Sequence, residues 1–420
     1  TVTGGTIDSE LSGNMIDICP VGALTSKPFR FTARTWELSR RKSVSPHDST
    51  GANLVVQVKN NKVMRVVPLE NEDVNECWIA DRDRFSYEAL NCDERLTSPM
   101  LKQGGEWKVV DWQTALEYVA GGLGHIKAEH GAQSIGVLAS PHSTLEELYL
   151  ATELMRGLGS GNIDTRLRHA EFPAFEGVRY LGTSIASLSQ LQRVLVVGSN
   201  LRKDHPLFAQ RIRQSARAGC EVNAIVSAVE LTSPDAWALP LANTLLAAPS
   251  AWAQALADVA AAVAIEKGVA APAAGNATDV ARAVARSLLG GERKAILLGN
   301  GAAHHARASS LLALANWLGM QTGATVGYLT EAANTVGAQW VGAFPDSAAG
   351  GLNAGQMLAG GLKAVLLLNN EPEFDSAADA VAKAALGQAD MVVTLSPFKA
   401  NLDFSDVLLP IAPFTETPGT

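Results

Sequence analysis

Short apolar segments that alternate with helical segments are the feature that most constrains the fold of this 420-residue chain. Each apolar run holds about five residues and is followed by a stretch with helical spacing. Uninterrupted apolar runs are typical of strands whose two faces are both covered by helices. The pattern therefore predicts an α/β fold with parallel sheets, right-handed crossovers and two Rossmann-like lobes. The strand-then-helix pairs are 134–140 with 144–158, 193–198 with 206–218, 294–298 with 306–318, and 364–368 with 376–386, before a last strand at 391–395.

Local signals define several elements more closely. Asp111 is a suitable N-cap for a helix over 112–129, and Thr144 with Glu147 forms a capping box for the helix that follows. Residues 53–68 alternate apolar and polar side chains around Asn60-Asn61-Lys62, which predicts two strands and a turn. The Ala-rich stretch 245–290 predicts two helices around a loop.

Composition excludes several classes of protein. The net charge of −8 gives no basic footprint for nucleic acid, and 47% apolar residues with 18% charged residues are typical of a well-packed globular protein. Four scattered cysteines do not make a disulfide framework, so we expect a reducing environment. The most apolar stretch, 252–265, is too short for a bilayer span. Because both ends look cut, we expect the chain to be a fragment of a longer protein.

Cys19-Pro20 is the strongest chemical signal in the chain. A Cys-Pro pair commonly ends a run of iron–sulfur ligands, since proline fixes the turn that directs the thiolate at iron. One cysteine cannot hold a cluster, and the alternative for an isolated cysteine is a buried free thiol. Cys77, Cys92 and Cys220 have no partner spacing and are expected to be ordinary packing residues.

Three turns follow strands, at the edge where open α/β sheets bind ligands. The first, Gly198-Ser199-Asn200 with His205-Pro206, is a weak ligand signal because it is not a glycine fingerprint. The second is 299–305, whose adjacent histidines His304 and His305 point to different helix faces and make poor metal ligands. The third, 369–373, carries acidic residues that would repel phosphate.

Six segments carry a resemblance to a known family. They are 13–25 (GNMIDICPVGALT), 34–38 (RTWEL), 78–87 (WIADRDRFSY), 95–100 (RLTSPM), 389–393 (ADMVV) and 405–410 (SDVLLP). Through them the chain resembles the large, 75 kDa-type iron–sulfur subunit (the G subunit in bacteria) of NADH:quinone oxidoreductase, respiratory complex I. The α/β segments alone are similar to the wider molybdopterin oxidoreductase superfamily. The resemblance implies a formate dehydrogenase-like α/β fold preceded by a small β-rich iron–sulfur subdomain.

The resemblance also implies where the metal ligands lie. Members carry one [2Fe–2S] and two [4Fe–4S] clusters near the N-terminus, and Cys19 matches the last ligand of one [4Fe–4S] cluster. The remaining ligands would precede Thr1, so we expect no cluster to be bound by this fragment alone.

Some family members hold a further [4Fe–4S] cluster, and the corresponding positions here are Ser45, Asp48, Ala52 and Ala80. Cysteines there would give C-x2-C-x3-C and a fourth cysteine 28 residues later, a spacing suited to a cluster. Two alanines cannot bind iron, so we expect this site to be empty.

Molybdopterin relatives need a metal ligand at a position that falls at or near Ala170, and a lysine at the position of Arg82. Alanine offers no donor, so the resemblance implies that no molybdenum is bound. The turn Gly198, Ser199, Asn200 and His205 would be a vestigial pterin site without a bound pterin, and we expect no catalytic residues.

The implied function is electron transfer from NADH to quinone, in which this fragment is a redox-silent scaffold and docking surface. Implied partners are other peripheral-arm subunits, including the flavin- and NADH-binding one, on the cytoplasmic side of the bacterial inner membrane. The expected domains are 1–40 (end of the N-terminal iron–sulfur region), 41–100 (small β subdomain) and 101–420 (two α/β lobes, the second roughly 165–345). The alternatives are a molybdenum or tungsten bis-pterin oxidoreductase and a non-redox assembly module.

Overall fold

A computed structural model describes residues 7–173, 177–231 and 236–420. The strands are β1 (Ser39–Val44), β2 (Asn53–Lys59), β3 (Lys62–Pro68), β4 (Met100–Gln103), β5 (Glu106–Val109), β6 (Ile135–Ala139), β7 (Ile163–Asp164), β8 (Arg193–Val197), β9 (Glu221–Val226), β10 (Asn243–Leu246), β11 (Lys294–Leu298), β12 (Thr325–Tyr328), β13 (Ala364–Leu368), β14 (Met391–Ser396) and β15 (Val407–Pro410). The helices are α1 (Asn14–Ile18), α2 (Asp81–Phe85), α3 (Trp112–His130), α4 (Leu145–Leu158), α5 (Leu201–Asp204), α6 (Pro206–Arg217), α7 (Trp252–Lys267), α8 (Asp279–Leu289), α9 (Asn300–Ala303), α10 (Ala308–Thr322), α11 (Thr335–Trp340), α12 (Ala354–Leu358), α13 (Pro372–Asp375) and α14 (Ala380–Leu386).

Two compact units form, and each contains two separate stretches of the chain. The first unit is Thr1–Tyr87 with Phe175–Glu331, and the second is Glu88–Ala174 with Ala332–Thr420. None of the helices in the described part of the chain is long and apolar enough to cross a membrane.

The first unit holds two sheets. One is the antiparallel sheet β1-β2-β3, whose last two strands are joined at Asn60 and Asn61. Both residues have positive φ, 50° and 59°, which the tight hairpin turn requires and which asparagine tolerates better than most residues. The other sheet is parallel, in the order β10-β9-β8-β11-β12. We call residues 39–87, which contain the antiparallel sheet, the small β region.

Alternate residues of the parallel sheet enter two different hydrophobic clusters. Leu195 and Ile296 are paired across β8 and β11 and pack with helices α7, α8 and α10. Their neighbours Val196 and Leu297 pack with α6 in the other cluster. Burying each of these aliphatic side chains stabilises the fold by roughly 1.5–3 kcal/mol. Because alternate residues face opposite sides, the same strands hold a layer of helices on each face of the sheet.

The second unit is built in the same way around the sheet β5-β4-β15-β14-β13-β6-β7. Its strands from β15 to β7 are parallel, while β4 and β5 are antiparallel additions. Leu366 pairs with Val137 and Val393, and this row packs with α3 and α4. The next row along the strands, which contains Leu367, packs with α12 and α14.

The predicted α/β class with parallel sheets and a small β-rich region is confirmed. The Asp111 cap and the Thr144–Glu147 capping box form as predicted. The helix predicted over 376–386 begins only at Ala380, because Asp379 directly before it adopts a φ of 47°. The hairpin β4–β5 was not predicted, since its strands of four residues are too short for a clear alternation.

Candidate functional site

Cys19 lies at the end of helix α1, where the chain turns sharply. Gly22 completes this turn with a φ of 63°, and its backbone N–H donates to the Cys19 carbonyl at 3.5 Å. Hydrogen bonding from the Leu24 backbone amide, with smaller contributions from residues 21–23, lowers the pKa of the Cys19 thiol. A thiol surrounded by amides is suited to the thiolate form, which is the form that binds metal.

The segment before Cys19 is anchored to residues 79–84. Asn14 exchanges hydrogen bonds with the Ile79 backbone, at 2.8 Å from Nδ2 and 3.1 Å to Oδ1. Asp17 forms an ion pair with Arg84, whose side chain is buried. A Cβ atom at Gly13 would lie 2.6 Å from Cδ of Arg84, so this close approach requires glycine.

The four positions Ser45, Asp48, Ala52 and Ala80 are all buried within the small β region. Ser45 follows β1 and donates its backbone N–H to the Ala52 carbonyl at 2.8 Å. Ala80 directly precedes α2. Helix α2 also meets the Ser45 segment, because the Ser45 hydroxyl donates to Oδ1 of Asp83 at 2.5 Å. The structure therefore gathers the segments that carry these positions around one buried polar site.

Asp48 is fully buried, and both of its carboxylate oxygens accept hydrogen bonds from protein groups. The Arg82 guanidinium binds its Oδ2 at 2.8 Å, and the Thr50 backbone N–H binds its Oδ1 at 2.9 Å. Arg82 also donates to the Asp204 carbonyl at 3.0 Å, which joins the small β region to the segment between β8 and α6. The Arg82 guanidinium thus serves as a structural ion-pair partner at this site.

Asp83 is a second fully buried carboxyl group at the same site. Its Oδ1 accepts the Ser45 hydroxyl, while its Oδ2 has no hydrogen-bond partner among the described residues. Burial first, and then the charge of Asp48, raise the pKa of Asp83 to about 7. The sequence did not single out Asp83, and a buried second acid beside Asp48 gives no spacing signal.

The residues at this site do not fit an iron–sulfur cluster. Ala52 and Ala80 have no donor atoms, and the carboxylate of Asp48 is already paired with Arg82. Ser45 is the remaining donor, and its hydroxyl is engaged with Asp83. A cluster needs four ligands, usually thiolates, and a hydrogen-bonded network of polar side chains lies here in their place.

The strand-end turn 198–205 is closely packed inside the first unit. A Cβ atom at Gly198 would lie 2.7 Å from both Trp252 and the Ala302 backbone nitrogen. A Cβ at Gly299 would lie 2.3 Å from the Cβ of Ser199, so the turns after β8 and β11 interlock. Their glycines are therefore explained by mutual packing, without a ligand.

His205 ends the same turn and is fully buried. Burial lowers the pKa of its imidazole to about 4, although the negative charge of Asp48 opposes this effect. The ring packs against Phe208, with centroids 5.8 Å apart. In the described residues neither ring nitrogen has a hydrogen-bond partner of standard geometry. His205 is thus a neutral packing residue at neutral pH.

Ala170 lies in the second unit on an exposed stretch that follows β7. The stretch is anchored by Asp164, which is fully buried and accepts two bonds from the Arg166 guanidinium, at 2.8 and 2.9 Å. The Ala354 backbone N–H adds a bond of 3.0 Å to the same carboxylate. The side chain of Ala170 supplies no donor atom for a metal, so the residue present does not fit molybdenum.

The remaining cysteines and histidines lie apart from Cys19 or are engaged elsewhere. Cys220 is buried as expected of a packing residue, whereas the packing role expected of Cys77 and Cys92 is wrong because both are exposed. Nε2 of His304 lies 2.8 Å from a carboxylate oxygen of Glu331. His305 binds the carbonyl of Pro249 at 2.9 Å.

Comparison with known families matches residues 95–420 to the molybdopterin oxidoreductase model. The chain belongs to the molybdopterin oxidoreductase family. Residues 38–88 of this family member also match the NADH-ubiquinone oxidoreductase NDSU1/NuoG-like 4Fe-4S domain. Residues 1–25 match the ferredoxin-like domain of NADH-quinone oxidoreductase subunit 3.

The curated relatives, like the two iron–sulfur domain models, are named after NADH-quinone or NADH-ubiquinone oxidoreductase. The chain is 39% identical over 215 residues to the G subunit of NADH-quinone oxidoreductase from Rickettsia felis, a match that covers 51% of this chain and 31% of the relative. It is 37% identical over 225 residues to the NADH-ubiquinone oxidoreductase 75 kDa subunit of Reclinomonas americana, covering 49% and 31%. These matches thus span less than a third of each relative's length.

A solved structure supports the fold. Acetylene hydratase from Pelobacter acetylenicus superimposes with a TM-score of 0.65 over 90% of this chain and 64% of that chain. The two sequences are 14% identical, so this likeness supports the architecture alone.

Proposed function

We propose that this chain is part of the large iron–sulfur subunit of an NADH:quinone oxidoreductase and serves electron transfer from NADH to quinone. The observation that carries the proposal is the combination, in one chain, of two NADH-quinone oxidoreductase iron–sulfur segments and a molybdopterin oxidoreductase region. The names of the relatives support the same activity. Residues 1–40, 41–100 and 101–420 would be its successive domains.

Within that large subunit, Cys19 would be the last ligand of a [4Fe–4S] cluster whose other ligands come from an upstream segment. The amide-rich turn after α1 supports this role, because N–H groups directed at sulfur stabilise a thiolate and tune a cluster's potential. The anchoring of 13–17 on 79–84 would fix the thiol relative to the small β region.

The rest of the chain would be a redox-silent scaffold. The site at Ser45, Asp48, Ala52 and Ala80 would hold no cluster, and the region around Ala170 and the turn 198–205 would hold neither molybdenum nor pterin. These surfaces would dock other subunits of the peripheral arm, including the one that binds flavin and NADH. The complex would place the chain at the cytoplasmic side of the bacterial inner membrane.

The test is Cys19→Ser in the full-length protein, in membranes that contain the assembled complex. Loss of a cluster ligand should remove one [4Fe–4S] signal in electron paramagnetic resonance and lower NADH-to-quinone activity at least about tenfold. NADH-to-ferricyanide activity, which needs only the flavin, should remain.

Cys77→Ser is the matched control, since Cys77 is an exposed cysteine in the same unit. Unchanged cluster signals in Cys19→Ser would contradict the assignment of Cys19. Molybdenum or tungsten in the purified wild-type protein, at about one atom per chain, would instead favour a bis-pterin oxidoreductase.

A further inference from the structure

The buried polar site at the former cluster position carries more negative than positive charge. Asp48 and Asp83 are both fully buried, and the nearby cation Arg82 contacts Asp48. Arg82 directs its guanidinium to Asp48 and to the Asp204 backbone, and no hydrogen bond joins it to Asp83. One guanidinium therefore lies near two carboxyl groups, and its carboxylate hydrogen bond goes to Asp48.

The two carboxyl groups have different hydrogen-bond partners. Asp48 accepts a charged donor and a backbone N–H, which are partners that favour a carboxylate. Asp83 accepts a neutral hydroxyl, from Ser45, on one oxygen, and the Ala80 backbone amide has only a weak effect on the carboxyl group. Its other oxygen is buried without a partner among the described residues, and an ionised carboxylate in that position would be poorly solvated.

The charged groups that act on Asp83, or on its neighbours Asp48 and Arg82, come from three elements. Asp48 lies on the loop after β1, Arg82 lies on α2 beside Asp83, and Asp204 with His205 precedes α6. The Asp204 carboxylate accepts the Asn200 backbone N–H at 3.0 Å. Burial and the nearby Arg82 charge keep His205 neutral, so it supplies no second cation.

We propose that this site has become a proton-binding site, in which Asp83 takes up one proton from solvent when the small β region folds against the α/β layer of the first unit. The protonated carboxyl group is neutral, so the buried pair then carries the single negative charge that Arg82 balances. The proton thus replaces a missing counter-charge within the region that matches a 4Fe-4S domain. This inference is independent of the proposed electron-transfer function.

The expected pH dependence has a definite sign. The pKa of Asp83 is raised from 3.8 to about 7 by burial and by Asp48, so the folded chain binds this proton more tightly than the unfolded chain. Its stabilising effect is complete below pH 3.8 and is lost as the pH rises to about 7. Above that pH this proton no longer contributes to stability.

His205 acts in the opposite direction. Its pKa is lowered from 6.5 to about 4, so folding disfavours its proton and its contribution to stability grows as the pH rises between these values. The two effects oppose each other from about pH 4 to 6.5, and a pH profile of the wild-type protein alone would hide both. A variant that removes one group is therefore needed.

The test is reversible urea unfolding of the whole chain and of Asp83→Asn between pH 5 and pH 8.5. The ratio of the unfolding constants, wild type over Asp83→Asn, should rise by up to about tenfold per pH unit until near pH 7 and then level off. Asp73→Asn is the control, because Asp73 is an exposed acid in the same region, and its ratio should stay flat. A flat ratio for Asp83→Asn would overturn the proposal.

A spectroscopic test does not depend on the folding of Asp83→Asn. In wild-type protein with ¹³C-labelled aspartate, one carboxyl carbon should titrate near neutral pH. Asp48→Asn should move that titration to lower pH by at least about one unit, since Arg82 is then released from Asp48 and the repelling charge is lost. A folded protein in which all aspartates are ionised at pH 5.5 would overturn the proposal.

Discussion

Individual residues show why the site around Ser45 and Asp48 is suited to polar side chains instead of a metal cluster. Ala52 and Ala80 offer no ligand atoms, and the buried Asp48 is paired with the Arg82 guanidinium. A buried carboxylate without a cation is costly, so Asp48 and Arg82 depend on each other. Forming the ion pair adds little to the free energy of unfolding, because the attraction between the charges is offset by the cost of removing them from water. Removing one partner is destabilising, because it leaves a buried charge without a counter-charge.

Arg82→Gln should therefore destabilise the first unit by about 2–3 kcal/mol, a range below the usual 3–5 for fully buried pairs. The reduction reflects the Arg82 side chain, which is 35% exposed and so partly screened by solvent. Urea unfolding at pH 7.5 measures the change. Arg41→Gln, on the exposed strand β1, is the matched control and should stay within about 0.5 kcal/mol. If the two substitutions lowered the free energy of unfolding equally, Asp48 would not depend on Arg82 as its buried counter-charge.

At the scale of elements, the turns after β8 and β11 decide what the first sheet can bind. Gly198 and Gly299 let the two turns and Trp252 pack directly on one another. The carboxyl edge of a parallel sheet is the usual ligand crevice, and at this point the first unit fills it with its own backbone.

Gly299→Ala should destabilise the protein by about 1–3 kcal/mol, because the new methyl group would lie 2.3 Å from the Cβ of Ser199. Gly124→Ala is the matched control, since Gly124 is an exposed residue of α3 with open space around its Cβ position. That control should be neutral or stabilise by about 0.4–1 kcal/mol. Thermal unfolding of both variants measures the difference. A stable Gly299→Ala protein would mean that the turns have room for a ligand.

Sequence patterns predicted elements well where the signal is local. The caps at Asp111 and Thr144 depend on residues three positions apart, and the hairpin at Asn60 depends on its own turn. Strand order could not be predicted in this way, because β6 pairs with β13 across more than 200 residues. Asp83 was missed for the same reason, since its pairing with Ser45 depends on tertiary contacts across 38 residues.

At the scale of the whole molecule, two arginines join the small β region to the α/β layer of the first unit. Besides the partly exposed Arg82, the buried Arg211 of α6 reaches from the layer into the small β region. It pairs with Glu76 at 3.1 Å and donates to the carbonyls of Val74, at 3.1 Å, and Glu72. These contacts, together with those of Arg82, attach the small β region to the α/β layer.

Arg211→Met should loosen this attachment while leaving the parallel sheet intact. Methionine keeps much of the apolar stem but removes the cation from Glu76, which retains its Gln214 and Trp78 donors, and removes the donor from two carbonyls. The local cost should be about 2–3 kcal/mol. Hydrogen exchange should accelerate at least about tenfold in residues 39–87 and change little in β8 and β11. Arg213→Met, on the same helix and without such contacts among the described residues, is the control. Uniform acceleration throughout the first unit would show instead that both layers unfold together, and that the arginine contacts are not a separate point of attachment.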